Sequence, residues 1–217
     1  EAMKLGAADY IAKEAEKRET LVRLRKALEQ SRLLNENRLL RAQLEPREAF
    51  AGLIGQSQAM RRIKDEIRNL APSDALTLIT GETGVGKELV ARAMHLASPR
   101  AGQPFLDINC AALPDDNLLQ SELFGHERGA FTGAVAQRKG RFELAGEGTL
   151  FLDEIAELSR ESQGKILKAV EQMEAPRLGG SRPVRIRCRL VCATNKNLKR
   201  EVAEGRFRED LYYRINV

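Results

Sequence analysis

Tryptophan is absent from this 217-residue chain, histidine occurs twice, cysteine three times, and aromatic residues make up only 5% of the sequence. The three cysteines, Cys110, Cys188 and Cys192, are an odd count with no signal peptide ahead of them. That argues against a disulfide scaffold and for a reducing, cytoplasmic setting. With only His95 and His126 to add, a zinc site is not expected, and the thiols read as small buried hydrophobes. No apolar run approaches the roughly 20 residues of a membrane-spanning helix. Basic residues outnumber acidic ones 36 to 31, a net charge of +5, but most alternate with carboxylates along the chain. Without clustering on one face this is no nucleic-acid footprint. A hydrophobic share of 42% beside 31% charged residues excludes wholesale disorder and collagen-like structure. What is present is enough apolar material for one ordinary domain with an appendage, or two small domains. The chain begins at Glu1 and stops at Val217 within an apolar segment, so it reads as a piece of a longer protein.

Residues 1–13 suggest a helix end, a turn at Gly6 and a short strand, Asp9 to Ala12, left over from an upstream domain. From Glu14 to Glu45 there is neither Gly nor Pro, and Leu21, Leu24, Leu28, Leu33, Leu40 and Leu44 recur at helical spacing. This predicts a helix of about 30 residues, some 45 Å long. It is either a dimeric coiled coil with Asn37 at its seam or a helix packed on neighbours of its own chain. Pro46 ends it. Beyond Pro46, strands are expected at 76–80, 105–108, 149–152 and 186–193, with helices at 87–97 and 161–173 between them. Such alternation predicts an α/β fold, a parallel sheet with helices on both faces.

The first strand runs into Gly81-Glu82-Thr83-Gly84-Val85-Gly86-Lys87-Glu88, a G-x-x-x-x-G-K between strand and helix. Glycines there let backbone N–H groups curl around phosphate oxygens, and Lys87 adds a cation. Glu88 stands where a Ser or Thr usually meets Mg²⁺. The strand 149–152 ends in Asp153-Glu154, so Asp153 is the candidate Mg²⁺ ligand and Glu154 the candidate general base. Acids at a helix N-terminus are the alternative reading of that pair. Asn195, just past the last strand, could touch the γ-phosphate or the attacking water. The run Asn195-Lys196-Asn197-Leu198 has Leu198 where a guanine reader needs a carboxylate, which favours ATP over GTP.

Residues 122–134 read ELFGHERGAFTGA. Within it, residues 129–134 (GAFTGA) set two glycines and two alanines around a lone aromatic and describe a flexible tip, in which Phe131 either anchors a partner or packs back into the core. With that string, the segment from about Phe50 to Val217 resembles the AAA+ domain of the NtrC-type activators of sigma-54 RNA polymerase, the bacterial enhancer-binding proteins. The resemblance implies an AAA+ P-loop NTPase core, ATP and Mg²⁺ as ligands, and Gly129, Ala130, Phe131, Thr132, Gly133 and Ala134 as the sigma-54 contact. It also accounts for the Lys87-Glu88 ending of the phosphate loop. By the same resemblance, Arg208 and Arg214 in 205–214 (GRFREDLYYR) are arginine fingers reaching a neighbouring subunit. Surface ion pairs with Glu209 or Asp210 are their alternative. Asn109 matches the asparagine that pairs with the catalytic glutamate.

The resemblance further implies that residues 1–14 are the end of a response-regulator receiver, with Lys13 near its phosphorylated aspartate and Glu14 where proline is usual. Residues 15–48 then form the linker through which receivers dimerise, and 49–217 an AAA+ domain short of its helical lid. The expected function is ATP-driven remodelling of the sigma-54 closed complex by a hexameric ring that is dimeric when off. A sensor kinase would control it, and DNA contact would come from a further C-terminal domain. Residues 175–180 are a less typical form of the family's second loop. Residues 1–217 alone are expected to be a poor ATPase. A different AAA+ remodelling machine, or a non-enzymatic oligomerisation piece with a vestigial site, are the competing readings.

Overall fold

The computed structural model describes residues 49–113 and 115–216, which fall within one compact unit, Ala49–Val217. The receiver-like start, Lys13, Glu14 and the leucine-spaced helix with Asn37 lie outside the described residues.

Four strands form the central sheet: β1 (Thr77–Thr80), β2 (Phe105–Asn109), β5 (Thr149–Asp153) and β8 (Arg189–Thr194). Their order is β1-β8-β5-β2, and every pairing is parallel. The two inner strands are buried along nearly their whole length, as continuous apolar runs in a parallel sheet must be. Side-chain alternation divides the strand residues between two faces. Leu150, Leu152, Leu190 and Cys192 enter one core with Leu123, Ile166 and Leu211, whereas Phe151, Val191 and Ala193 meet Ala91.

Those partners belong to helices on opposite faces. On one side lie α3 (Asp116–Phe124), α5 (Arg160–Gln172) and α7 (Glu209–Ile215), and on the other α2 (Lys87–Leu96), against which α1 (Gln58–Leu70) packs. The result is a three-layer α/β/α unit. Short polar side chains start the helices by accepting orphan N–H groups. Ser57 accepts from Met60, Asp115 from Asn117, and Ser159 from Ser162. Two more short helices, α4 (Arg141–Leu144) and α6 (Leu198–Ala203), fill connections. No helix among the described residues is long and apolar enough to cross a membrane.

The strands match expectation closely except the last, expected over 186–193. Residues 183–185 instead form β7, hairpinned with β6 (Glu174–Pro176), and the Ile186 N–H donates to Met173 O. Ile186 and Cys188 keep the buried alternation of a strand but have no parallel partner, because β5 begins at Thr149, opposite Arg189. A second small hairpin, β3 (Gly125–His126) with β4 (Arg138–Lys139), is too short to leave a periodic signal.

At the far end from the strands' carboxyl termini, Arg189 is 2% exposed and donates to Leu70 O and Ala71 O, both at 2.9 Å. It thereby caps the C-terminus of α1 with a cation. Burial pushes its guanidinium below the ordinary arginine value. At the carboxyl end, register aligns Thr80 with Thr194 and Asn109 with Asp153. The chain leaves all four strands there, where open α/β sheets bind ligands.

Candidate functional site

The phosphate loop, residues 81–86, leaves β1 and enters α2 at Lys87. Gly84 and Gly86 hold left-handed backbones, φ +80° and +95°, which only glycine adopts without strain. The Gly81 N–H donates to Thr194 O, tying the loop to β8. Glu82 contributes a carbonyl and Thr83 a hydroxyl to the local bonding, while Val85 is 62% exposed. Lys87 is only 7% exposed, yet its Nζ has three acceptors: Gly81 O at 3.1 Å, Glu82 O at 3.2 Å and Glu154 Oε1 at 3.3 Å.

Glu154 is thus drawn to the phosphate loop from across the sheet. Its other oxygen accepts the Asn195 backbone N–H at 3.0 Å, and the Asn195 amide donates to Thr83 Oγ1 at 2.8 Å. Loop, acid strand and β8 therefore close a small network. Glu154 sits in the left-handed region, φ +51°, without being glycine. Such backbone strain concentrates at sites where a side chain must be aimed. Asp153, beside it, accepts from the Glu154 N–H at 3.0 Å. Burial, with the Glu154 and Glu88 carboxylates nearby, pushes the Asp153 carboxyl above its ordinary value, against the pull of Lys87.

Among the candidates for holding the nucleotide, Glu88 and Asn109 are placed apart from this network. Glu88 turns along its own helix to Arg92, 2.9 Å away and four residues on. Asn109 aligns with Asp153 across the sheet, but its Oδ1 accepts the Ala111 N–H at 2.8 Å and turns the chain there. The structure does not bring it to Glu154. Cys110 follows, buried, its thiol pushed up to about 12 by burial and by the charges of Asp153 and Glu154.

Neither Arg208 nor Arg214 is hydrogen-bonded or ion-paired to this network. Arg208 caps α7 and forms a two-pronged pair with Asp210, Nε to Oδ1 at 3.0 Å and Nη2 to Oδ2 at 2.6 Å. This is one of the two ion pairs open to it on the sequence. Arg214 is exposed on the last turn of α7, at the rim of an apolar cleft that includes Phe142, Met173 and Cys188. It has no acidic partner among the described residues.

The 129–134 loop is a compact turn. The Gly129 N–H donates to Ala134 O, and the Ala134 N–H to Phe131 O. Gly129 and Gly133 have φ +81° and +100°, and a Cβ added at either would point into open space. Thr132 and Gly133 face solvent, and Ala134 is buried. Phe131 is half-buried, its ring edge-on to His126 at 5.1 Å. The 175–180 segment supports this loop. Glu127 N–H donates to Leu178 O, Leu178 N–H to Gly125 O, and Gly179 lies so close to Ala130 that a Cβ would sit 2.8 Å from it. Arg177 joins Glu127 at 2.9 Å and Glu143 at 2.7 Å, and was not singled out on the sequence. Ile54, which no motif marks, is 89% exposed on a loop whose Gly52 abuts Leu89 of α2.

Residues 53–217 match the family model described as Sigma-54 interaction domain. Among known proteins, the Nif-specific regulatory protein of Klebsiella pneumoniae is 58% identical over 165 residues, 76% of this chain and 31% of that protein. The transcriptional regulatory protein ZraR of Salmonella typhimurium is 48% identical over 218 residues, all of this chain and 48% of that protein. A crystal structure of NtrX from Brucella abortus in complex with ATP superposes with a TM-score of 0.70 at 37% identity, over 100% of this chain and 47% of that one. The chain thus spans about a third to a half of the relatives it matches. A further match at 21% identity and TM-score 0.51, the P-loop NTPase domain of a sigma-54 activator from E. coli, agrees in fold. With a phosphate loop on a parallel sheet, an uninterrupted GAFTGA turn and this match over most of its length, the chain belongs to the sigma-54 interaction domain family, the AAA+ domain of NtrC-type activators.

Proposed function

We propose that this domain hydrolyses ATP and uses the cycle to move the 129–134 loop, remodelling a sigma-54 RNA polymerase closed complex into an open one. The observation that supports this best is the network in which Lys87, Glu154 and Asn195 converge on the phosphate loop. In this reading the loop N–H groups and Lys87 hold the phosphates, and Glu154 takes the proton of the attacking water. Asn195 registers the γ-phosphate through its link to Thr83. Exposed Ile54, Val85 and Leu89 offer apolar surface for the base.

The donor set suits Mg²⁺. Asp153 supplies one hard oxygen, as expected of an ion that takes its remaining ligands from phosphates and water. Glu88 is occupied with Arg92 and lends none. Mg²⁺, when bound, would neutralise charge on the phosphates. Asp153, with its carboxyl pushed up by burial and neighbouring acids, gains from a cation beside it. That NtrX has been crystallised with ATP and with ADP supports an adenine nucleotide.

Arg208 and Arg214 would reach the nucleotide of a neighbouring subunit, making the active form a ring, hexameric by family resemblance. We assign residues 1–14 to a receiver end, 15–48 to a dimerising linker and 49–217 to the ATPase domain of a two-component response regulator. Its sensor kinase and DNA-binding part lie outside this chain. The test is capture of sigma-54 by the full-length protein in the presence of ADP with aluminium fluoride. Capture should depend on the analogue and be lost in Phe131→Ala and Thr132→Ala. Capture that survives both substitutions refutes the assignment of the loop.

A further inference from the structure

We infer that His126, oriented by Ser121, is the dock that holds Phe131 against the body of the domain. Engagement of sigma-54 then exchanges the His126 contact for a contact with the partner. The inference rests on the reading of Phe131 as a sigma-54 contact, but its first half can be tested without it.

The dock is rigid. His126 is 9% exposed, and its Nδ1 lies 2.7 Å from the Oγ of Ser121, itself buried near the end of α3. That bond fixes the plane of the imidazole. The backbone of His126 is held on both sides, by Arg138 of β4 and by a bridge to Leu178. Gly125 immediately before it packs so close to β4 that a Cβ there would meet Arg138 O at 2.5 Å and Gly140 N at 2.6 Å.

What rests on the dock is movable. The turn from Gly129 to Ala134 closes on itself through its own hydrogen bonds, so it can travel as a unit. Its glycines have open space around them. Phe131 meets the His126 ring at 72°, the edge-to-face geometry that aromatic pairs favour. Such a contact shifts a two-state population by roughly 2- to 10-fold. That is enough to favour the docked loop and little enough for a partner to reverse it. A contact across a buried, hydrogen-bonded imidazole also reports directly to α3, because Ser121 and the Gly125 N–H donating to Ser121 O share that helix turn.

With only two histidines in the chain, their ring C–H resonances give two separable sets in a proton–carbon NMR spectrum of the full chain. Phe131→Leu should remove the ring current over His126 and move that set. The His95 set, against Phe105 at 5.4 Å, should stay in place and certify the fold. A His126 set that ignores Phe131→Leu overturns the dock. Adding sigma-54 together with ADP and aluminium fluoride should move the His126 set, relative to its position with the analogue alone, in the direction that Phe131→Leu does. If co-elution shows binding and the set stays put, the exchange is overturned while the sigma-54 assignment stands. If sigma-54 does not bind at all, that assignment falls, and the Phe131→Leu result still decides the dock. Ser121→Ala, which frees the imidazole, should raise sigma-54 affinity roughly 2- to 10-fold with basal ATP turnover unchanged. Ser121→Thr, which keeps the hydroxyl, should restore the parent affinity. Unchanged or lower affinity in Ser121→Ala counts against the positioning role.

Discussion

Glu154→Gln is the substitution that separates holding a nucleotide from consuming it. The carboxylate serves two donors, Lys87 Nζ at 3.3 Å and the Asn195 N–H at 3.0 Å. The amide that replaces it has one oxygen for those two donors, and its NH₂ group must face the other. One charge-assisted bond, about 1.5–3 kcal/mol, is therefore lost from the network. Lys87 keeps its two loop carbonyls and is less tightly held away from phosphate, so nucleotide affinity should be retained or improved. If Glu154 is the general base, turnover should fall roughly 10²- to 10⁴-fold, about 3–5 kcal/mol in the barrier. Single-turnover phosphate release measures the second effect, and titration with a fluorescent ADP analogue the first. Turnover within about threefold of the parent would refute Glu154 as base. A large loss of affinity would instead make it a structural brace of the phosphate loop.

Burial keeps the thiols neutral, Cys188 pushed up to about 11 and Cys110 to about 12 from an ordinary 9.0. Because the folded values lie above the unfolded one, stability is fully present below pH 9 and declines as pH rises towards 11–12. Denaturant unfolding should show that decline to be shallower in Cys188→Ala, and none of the three thiols should react with a disulfide dye in the native chain at pH 8. Gly179→Ala forces φ +71° on a residue with a Cβ 2.8 Å from Ala130. It should cost about 1–2 kcal/mol and lower sigma-54 capture with ATP affinity intact; equal loss of both would deny that the second loop acts on the first. Asp210→Asn weakens the two-pronged hold on Arg208 while its remaining oxygen can still accept the Leu211 N–H. Turnover of the assembled protein should rise, whereas Arg208→Ala should abolish it; a fall in both variants would make the Arg208–Asp210 pair structural.

The sheet was legible because its strands are buried on both faces and so read as apolar runs. The candidate site is legible as a pattern, because phosphate binding demands glycines at fixed offsets and acids at a strand end. Where reading stopped, the physics is specific. Ile186 and Cys188 look like strand residues because they are buried alternately, but a ladder also needs a partner, and partners are not written locally. The family resemblance pairs Asn109 with Glu154, whereas its side chain satisfies the Ala111 N–H two residues on, as asparagines in turns do. The Arg177 bridge joins acids 50 and 34 residues away, a separation at which no local pattern survives.

How the acid end of β5 is connected to the 129–134 loop can be followed bond by bond. A 3₁₀ turn, Ile155–Glu157, carries the chain from Glu154 to Ser159 at the start of α5. Ser159 Oγ donates to Asp116 Oδ2 at 2.8 Å, and Ser162 Oγ to Asp116 Oδ1 at 2.7 Å. Asp116 is the first residue of α3, whose last turn carries Ser121 and, through it, His126 and Phe131. Contiguity alone does not make a route for free energy; coupling has to be measured at both ends. If this path transmits the state of the nucleotide, Asp116→Asn should leave ATP affinity and sigma-54 affinity nearly unchanged when each is measured alone. The factor by which an ATP analogue changes sigma-54 affinity should shrink by roughly 2- to 30-fold, the span of coupling changes produced by residues that touch neither ligand. Isothermal titration of sigma-54 with and without analogue, in parent and variant, closes the cycle. A coupling factor identical in the two proteins would show that Asp116 only fastens α3 to α5, and that the loop is driven through another part of the fold.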